Sequence, residues 1–350
     1  MRPIRLMIVD DSMVARAVLS RMVEQDGEFD IVGVAGTAED AIEALAHVEV
    51  DIILLDLEMP GAGGLKSIPR ILHAARGARV MIVSSLAEQG AEQTVAALAL
   101  GAADTLPKPG TGRFNGRFSE VLLARLRALG RVDGADRDAP VHKVCAQASR
   151  PPLRAMPSDP IKLLALGAST GGIHALGTFF QHFPRRAGVP ILITQHLPPA
   201  FMPVFARQLG VAAGRPAVVA THGMALTPDT LLIAPGDAHL MVEKGPYGLA
   251  IRLARFAVPS GCMPSVDPMF ASAGTLLGRE ALGVVLTGMG RDGFDGATKL
   301  VACGGAVLAQ DEASSAVWGM PRVIAEGGLA AAVLPPDKLA RRAASRCAEQ

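Results

Sequence analysis

The sequence predicts an α/β protein with two domains, each built on a doubly wound parallel sheet. Apolar, β-branched segments alternate with segments of helical periodicity in both halves of the chain, which is the signature of βαβ units. A length of 350 residues is enough for two separate hydrophobic cores. Aromatic residues make up only 4% of the chain, whereas alanine, glycine, valine and leucine are abundant, as expected for α/β layers.

The first domain is predicted over residues 1–130. Its five predicted strands are IRLMIV, DIVGVA, DIILL, RVMIV and ADTL, and a last helical segment, FSEVLLARLRALG, ends near Gly130. Residues 131–158 lose this periodicity and collect prolines and mixed charges, so we interpret them as a linker. The alternative, one large domain with this segment as a surface loop, requires a longer structureless loop than compact domains usually contain.

The second domain is predicted over residues 159–345. The alternation of apolar segments with segments of helical periodicity resumes at Ile161. The predicted strands are IKLLAL, PILIT, AVVAT, TLLIA, GVVLT and GAVLA. Beyond this shared architecture, the two halves show no internal sequence repeat.

Composition and charge argue against several classes of protein. Lysine and arginine total 34 residues, and aspartate and glutamate total 33. The chain therefore lacks the excess of positive charge that would favour the basic face of a nucleic-acid binder. No apolar run approaches the ~20 residues of a membrane span, and the N-terminus is predicted to be a strand and not a signal peptide. The cysteines are far apart, without metal-ligand spacing; they are Cys145, Cys262, Cys303 and Cys347. We therefore expect a cytoplasmic protein with reduced thiols and no membrane insertion.

Polar side chains follow the strands of the first domain where each strand ends. They are Asp10, Asp11, Asp56, Ser84 and Lys108. Because the carboxyl ends of parallel strands meet at one edge, three carboxylates converge there and repel one another unless a hard cation such as Mg2+ lies among them. A nearby lysine and hydroxyl can then hold a phosphoryl group. The alternative is that the aspartates, or Ser12, serve as helix N-caps.

The motifs VDDS, LLDLEMP, VSS and KP resemble those of the response-regulator receiver domain, over about residues 1–130. The resemblance implies a flavodoxin-like fold in which Asp56 accepts phosphate from a chemotaxis histidine kinase. It also implies that Mg2+ is bound by Asp10, Asp11, Asp56 and the backbone carbonyl of Glu58. Lys108 and Ser84 would contact the phosphoryl group.

Two positions depart from the receiver family. Thr105 stands where receivers often carry an aromatic switch residue, and GAGG follows EMP where relatives often have larger or acidic residues. Both departures leave open which conformational change follows phosphorylation.

The second domain places a possible hydrolytic set at strand ends. Ser169 follows IKLLALGA, His196 follows PILITQ and Asp292 lies just beyond GVVLT. A serine hydrolase needs a hydroxyl, an imidazole that takes its proton and a carboxylate that orients the imidazole. The chain order differs from that of α/β-hydrolases and there is no GxSxG elbow, but the set is defined by geometry and not by order.

Each of these three residues has a structural alternative. A serine in a glycine-rich turn is commonly a turn former, and Asp292 could cap the helix that begins near Phe294. His196 has competitors in His174, His222 and His239, and Asp292 has competitors in Asp267 and Asp311. A dinucleotide site is disfavoured because GASTGG lacks the GxGxxG spacing.

Six ordered motifs resemble those of the chemotaxis methylesterase CheB family. They are ALGASTGG, TQHLPPAF, LLIAPGDAHL, PSVDPMF, VVLTGMGRDG and AQDEASSAVWGMP. The family joins a receiver to a Rossmann-like esterase domain, so the resemblance covers nearly the whole chain. It implies a triad of Ser169, His196 and Asp292, with backbone amides of Thr170 and Met289 at the oxyanion and no cofactor in this half.

The resemblance also implies a function. Such enzymes remove methyl esters from glutamates of methyl-accepting chemoreceptors and deamidate glutamines there, and phosphorylation of the receiver relieves a block on the site. Two other hypotheses stay open at this point. One is a receiver-regulated hydrolase of another protein substrate, and the other is a catalytically silent, phosphorylation-dependent docking protein.

Overall fold

A computed structural model describes residues 2–59, 63–84, 88–108, 116–130 and 151–347. The chain divides into two compact units, Met1–Ala135 and Asp136–Gln350. Each unit contains its own parallel sheet. Most of the predicted linker, residues 131–150, lies outside the described residues, so its limits stay a prediction. No described helix is long and apolar enough to cross a membrane.

The first unit alternates strands and helices. Its strands are β1 (Ile4–Val9), β2 (Phe29–Ala35), β3 (Ile52–Leu55), β4 (Arg79–Ser84) and β5 (Asp104–Pro107). Its helices are α1 (Met13–Glu24), α2 (Ala38–Leu45), α3 (Gly64–Ala74), α4 (Glu88–Ala99) and α5 (Gly116–Gly130). The strand order is β2-β1-β3-β4-β5 with all neighbours parallel, which is the flavodoxin-like order that the sequence predicts.

The central pair of this sheet sets the position of the acidic residues. Val9 of β1 pairs with Leu55 of β3, so Asp10 and Asp56, each one residue further, emerge side by side. Ser12 is the N-cap of α1, where its Oγ accepts a 3.3 Å hydrogen bond from the Ala15 amide. Ser12 is therefore a helix N-cap, as the alternative interpretation proposed. Asp10 and Asp56 instead lie at the carboxyl edge of the sheet.

The second unit is a seven-stranded parallel sheet with helices between its strands. Its order is β14-β13-β12-β6-β7-β9-β8. The strands are β6 (Leu163–Ala168), β7 (Ile191–Gln195), β8 (Ala217–Val219), β9 (Leu231–Ile233), β12 (Ala281–Val285), β13 (Ala306–Gln310) and β14 (Ala330–Leu334). The helices are α6 (Gly172–His182), α7 (Met202–Ala213), α8 (Val266–Leu277), α9 (Phe294–Ala302), α10 (Met320–Glu326) and α11 (Pro336–Ala344).

Strand β6 lies at the point where the chain reverses its direction across this sheet. The chain moves from β6 to β7 on one side and later returns to place β12 on the other side. In doubly wound sheets, ligands bind in the crevice at the carboxyl ends of strands next to such a reversal. The residues that follow β6, β7 and β12 therefore border one crevice.

Two parts of the second unit were not predicted from the sequence. One is an antiparallel hairpin of β10 (His239–Gly245) and β11 (Gly248–Ala254), and the other is β14 at the sheet edge. The hairpin lacks the long apolar runs of a buried strand, because each of its strands mixes a few buried residues with exposed and partly exposed ones. Its buried side packs with α8 against the core, through residues such as Leu240 and Ile251 next to Phe270.

Candidate functional site

Ser169 and His196 lie next to each other at the end of two neighbouring strands. Ala168 of β6 pairs with Gln195 of β7, and the His196 amide donates a 3.1 Å hydrogen bond to the Ala168 carbonyl. Each candidate residue comes one position after this pair. Since neighbouring strands run about 4.8 Å apart, the two backbones are held side by side.

A tight turn presents Ser169 between β6 and α6. Gly171 has a φ of 76°, a conformation that favours glycine. The segment after β12 packs directly on this turn: the Ser169 amide donates to the Thr287 carbonyl over 3.0 Å. A side chain at Gly288 would place its Cβ 2.7 Å from Ser169 Cβ, so only glycine permits this approach.

Asp292 is the carboxylate that contacts the imidazole. His196 Nε2 lies 2.8 Å from Asp292 Oδ2, and the Asp292 side chain is only 1% exposed. Because Nε2 donates its proton to the carboxylate, Nδ1 is the acceptor on the other side of the ring when the imidazole is neutral. That arrangement is the one a general base requires.

Three further donors saturate the Asp292 carboxylate. The Val266 amide donates to Oδ2 over 2.8 Å, while Ser260 Oγ and Ser265 Oγ donate to Oδ1 over 2.9 and 2.5 Å. Asp292 does not cap α9, whose N-cap is Gly293 and has no side-chain cap hydrogen bond. The carboxylate is thus held from several sides in one orientation.

The electrostatics of this pair favour the charged forms of both residues. Burial by itself lowers the pKa of His196, but the hydrogen bond to Asp292 and the neighbouring Cys262 outweigh it and raise that pKa to about 9. Although burial opposes ionisation of Asp292, the hydrogen bonds from His196, Ser265 and Val266 hold its pKa well below the usual range. The imidazolium form is therefore strongly stabilised.

Within the described part of the chain, no hydrogen bond joins Ser169 Oγ to the His196 ring. The strand register brings these residues together, and catalytic contacts often tighten only when substrate binds. The hydroxyl is partly exposed, so it is accessible from the crevice.

The two residues predicted at the oxyanion are Thr170, which follows Ser169, and Met289, which follows the Gly288 that packs on Ser169. Thr170 is buried, and its carbonyl accepts a 2.9 Å hydrogen bond from Thr287 Oγ1. Met289 is 41% exposed, and its amide donates no hydrogen bond to another described residue. The start of α6 at Gly172 adds the positive end of a helix dipole nearby.

The competing histidines, His174, His222 and His239, make no hydrogen bond to Asp292 among the described residues. His239 is fully buried, with Nε2 2.8 Å from the Phe256 carbonyl and Nδ1 accepting from the Ser265 amide over 3.0 Å. His222 Nδ1 accepts from the Leu253 amide, and His174 is exposed on α6. His239 still matters for the site, because it fixes the loop that carries Ser265.

The competing carboxylates, Asp267 and Asp311, accept hydrogen bonds from other groups. Asp311 Oδ1 accepts from the amide and hydroxyl of Ser314, which is a local turn. Asp267 lies at the start of α8 and accepts a 2.7 Å hydrogen bond from the Gly296 amide. Burial and the charge of Asp292 raise the pKa of Asp267, so it borders the site without contacting the imidazole.

Sequence reasoning missed several residues that support the site. Gln195 Nε2 donates to the carbonyls of Ser169 and His196, over 2.9 and 3.3 Å, and so joins the two residues directly. Ser260 and Ser265 hold Asp292, and Cys262 lies against His196. Gln195 is adjacent to His196 in TQHLPP, but the loop residues carry no signal that spacing alone reveals.

In the first unit, Lys108 bridges the two buried aspartates. Its Nζ lies 2.8 Å from Asp10 Oδ2 and 2.7 Å from Asp56 Oδ2. The Glu58 amide donates to Asp56 Oδ1 over 3.2 Å. Burial raises the pKa of Asp56 despite Lys108, and the two carboxylates raise the pKa of Lys108 despite burial.

The carboxylates of this unit fit a hard cation. One oxygen from each of Asp10, Asp11 and Asp56 lies within 4.8 Å of the other two, and oxygen donors in such a cluster suit Mg2+. Asp11 is exposed, which leaves room for water ligands. Ser84 ends β4, and its side chain is outside the described part. Thr105 is buried, and its Oγ1 has no hydrogen-bond partner among the described residues.

Two family models match the chain. Residues 164–343 match the CheB methylesterase model, and residues 6–113 match the response regulator receiver domain model. The chain belongs to the CheB methylesterase family. The resemblance seen in the sequence, a receiver followed by a methylesterase domain, is confirmed by these matches.

Two relatives of known name cover nearly the whole chain. A protein-glutamate methylesterase/protein-glutamine glutaminase 2 of Caulobacter vibrioides is 42% identical over 345 residues, covering 98% of each chain. One from Azospirillum brasilense is 37% identical and covers 99% of this chain and 94% of the relative. The CheB methylesterase catalytic domain of Thermotoga maritima is 32% identical, with a TM-score of 0.51, over 53% of this chain and 97% of that structure.

Proposed function

We propose that the chain is a phosphorylation-activated protein-glutamate methylesterase and glutaminase that acts on methyl-accepting chemoreceptors in sensory adaptation. The observation that carries this proposal is the 2.8 Å contact between His196 Nε2 and the buried Asp292, with Ser169 on the adjacent strand end. Family membership and the names of the relatives supply the substrate class.

The first half of the reaction forms an acyl-enzyme. Ser169 Oγ attacks the carbonyl of a glutamate methyl ester while His196 Nδ1 takes the hydroxyl proton. Asp292 holds the ring orientation and stabilises the imidazolium. Amides at Thr170 and Met289 meet the oxyanion, and such preorganised donors are typically worth about 3 kcal/mol each. The imidazolium then returns its proton to the departing methanol.

The second half releases the glutamate. Water attacks the acyl-serine, His196 takes a proton from that water, and Ser169 leaves with the proton restored. A glutamine side chain follows the same course with ammonia as the leaving group, so one site serves both activities. The four hydrogen bonds to Asp292 support this scheme, because they keep the carboxylate ionised through each proton transfer.

In the receiver, we propose that Asp56 accepts a phosphoryl group from a chemotaxis histidine kinase. Asp10, Asp11, Asp56 and the Glu58 carbonyl would hold Mg2+, which supplies charge neutralisation for phosphoryl transfer when bound. Lys108 already bridges Asp10 and Asp56, so its ammonium is placed to pair with a phosphoryl group. Ser84 would hydrogen-bond to that group.

Methanol release from a methylated chemoreceptor tests the activity. We expect Ser169→Ala to reduce turnover to background, whereas Ser345→Ala, a substitution at the end of α11, serves as a matched control with normal rates. Retained turnover in Ser169→Ala would refute the nucleophile assignment. A fluorophosphonate probe that labels the wild type but not Ser169→Ala separates a working esterase from a silent docking protein.

A further inference from the structure

A thiol borders the imidazole and carboxylate of the candidate active site. Cys262 Sγ, a ring nitrogen of His196 and a carboxylate oxygen of Asp292 all lie within 4.8 Å of one another. Cys262 is half-buried, so reagents in solution can reach it. The proposed ester hydrolysis uses Ser169 and has no step that needs this sulfur.

The loop that carries Cys262 is tied to the same carboxylate. Ser260 Oγ donates to Asp292 Oδ1 over 2.9 Å, and the Cys262 amide donates to Ser260 Oγ over 3.4 Å. The thiol lies 3.8 Å from the Ser260 carbonyl and also interacts with the His196 ring. The backbone is thus held in place with the sulfur beside the imidazole.

The ring beside the sulfur carries a positive charge. His196 is held as an imidazolium over a wide pH range, with Asp292 and Cys262 among the causes of its raised pKa. A positively charged ring beside the sulfur stabilises the negative charge that develops on it as the thiol reacts. Asp292 also lies within 4.8 Å of the sulfur and opposes a second negative charge there, but its carboxylate already accepts four hydrogen bonds.

The chain offers two comparison thiols within the described residues. Burial raises the pKa of Cys347 to about 11, which makes it unreactive at neutral pH. Cys303 is half-buried, like Cys262, and follows α9 as its C-cap. Exposure alone therefore does not distinguish Cys262 from Cys303, whereas the neighbouring imidazole does.

We propose that Cys262 is a thiol modification site, at which peroxides or soft electrophiles react with the sulfur and the product blocks His196. With hydrogen peroxide, the sulfur attacks one peroxide oxygen, the S–O bond forms, and the O–O bond breaks. Two electrons pass from sulfur to the peroxide, and the departing hydroxide takes the thiol proton as water, which leaves a sulfenic acid. A dithiol reductant returns the sulfenic acid to the thiol.

The reactivity is tested by alkylation and does not depend on any enzyme activity. Full-length protein carrying Cys145→Ser is treated with limiting iodoacetamide, and labelling at each remaining cysteine is followed by peptide mass spectrometry. We expect Cys262 to react about tenfold faster than Cys303 or more, and His196→Gln to remove that difference. Equal rates at Cys262 and Cys303 in the Cys145→Ser protein, in which His196 is intact, overturn the proposal.

The blocking effect rests on the proposed function and is tested separately. Peroxide treatment should reduce methanol release in parallel with sulfenic acid formation at Cys262, and dithiothreitol should restore it. Cys262→Ser should keep its own untreated rate under the same treatment, while Cys303→Ser should lose activity like the wild type. Full oxidation of Cys262 without loss of activity overturns the block. An enzyme with no esterase activity at all would instead refute the proposed function, and the alkylation result would stand.

Discussion

Ser265 Oγ donates a 2.5 Å hydrogen bond to Asp292 Oδ1 from a position 27 residues earlier in the chain. The same oxygen accepts from the Asp267 amide and caps α8. The Ser265 amide in turn donates to buried His239. One serine hydroxyl therefore connects the start of a helix, a buried histidine and the carboxylate that orients His196.

Ser265→Ala should weaken both stability and catalysis. A hydrogen bond to a charged group is worth about 1.5–3 kcal/mol, so we expect a comparable loss in the free energy of unfolding, measured by urea denaturation. The rate constant kcat should fall by about tenfold or more, because Asp292 loses its shortest contact. Ser260→Ala removes the other donor to Oδ1 but not the helix cap, so it should affect kcat with a smaller loss of stability. Unchanged kcat in Ser265→Ala would contradict this role.

Gln195→Met should reduce kcat with little change in KM. Methionine has a similar length but cannot donate to the Ser169 and His196 carbonyls, so the two residues lose the side chain that joins them. Steady-state kinetics of methanol release gives both constants. A rise in KM alone, with kcat preserved, would show that Gln195 acts on substrate binding instead.

The pH dependence of the reaction follows from the raised pKa of His196. A general base must be neutral in the free enzyme, and below about pH 9 His196 is mostly protonated. The value of kcat/KM should therefore rise with pH, reach half of its maximum near pH 9 and level off above that pH. Cys262→Ser removes one of the groups that favour the imidazolium, so the midpoint should move to lower pH. A midpoint at the ordinary histidine value of 6.5 would contradict the environment described for His196.

Asp56→Asn should abolish phosphorylation and activation together. With acetyl phosphate and Mg2+, we expect the wild type to incorporate phosphate and to release methanol faster. The variant should retain the basal rate but show neither response, because its amide cannot accept a phosphoryl group. Asp30→Asn, on the exposed face of β2, is the matched control. Activation that persists in Asp56→Asn would exclude this aspartate as the switch.

Much of this arrangement was predictable from local sequence. Continuous apolar runs separated by amphipathic segments determine a parallel α/β fold, because strands buried on both faces need apolar side chains along their length. The carboxyl ends of such strands share one edge, and so Ser169 could be placed near His196, and Asp10 near Asp56, before any coordinates. The hairpin β10–β11 escaped prediction because its mixture of buried and exposed residues leaves no such run.

Only the tertiary structure decided which groups meet. Asp292 and His196 are 96 residues apart, and spacing alone left Asp267 and Asp311 as rivals, so that in the sequence only the family resemblance favoured Asp292. The choice depends on side-chain direction and on the loop that contains Ser260, Cys262 and Ser265, which is closed by contacts with distant residues such as His239. The spacing of residues along a chain indicates secondary structure and which residues end each strand. A hydrogen bond, however, requires two side chains to converge within about 3 Å. That convergence is set by packing across the whole domain.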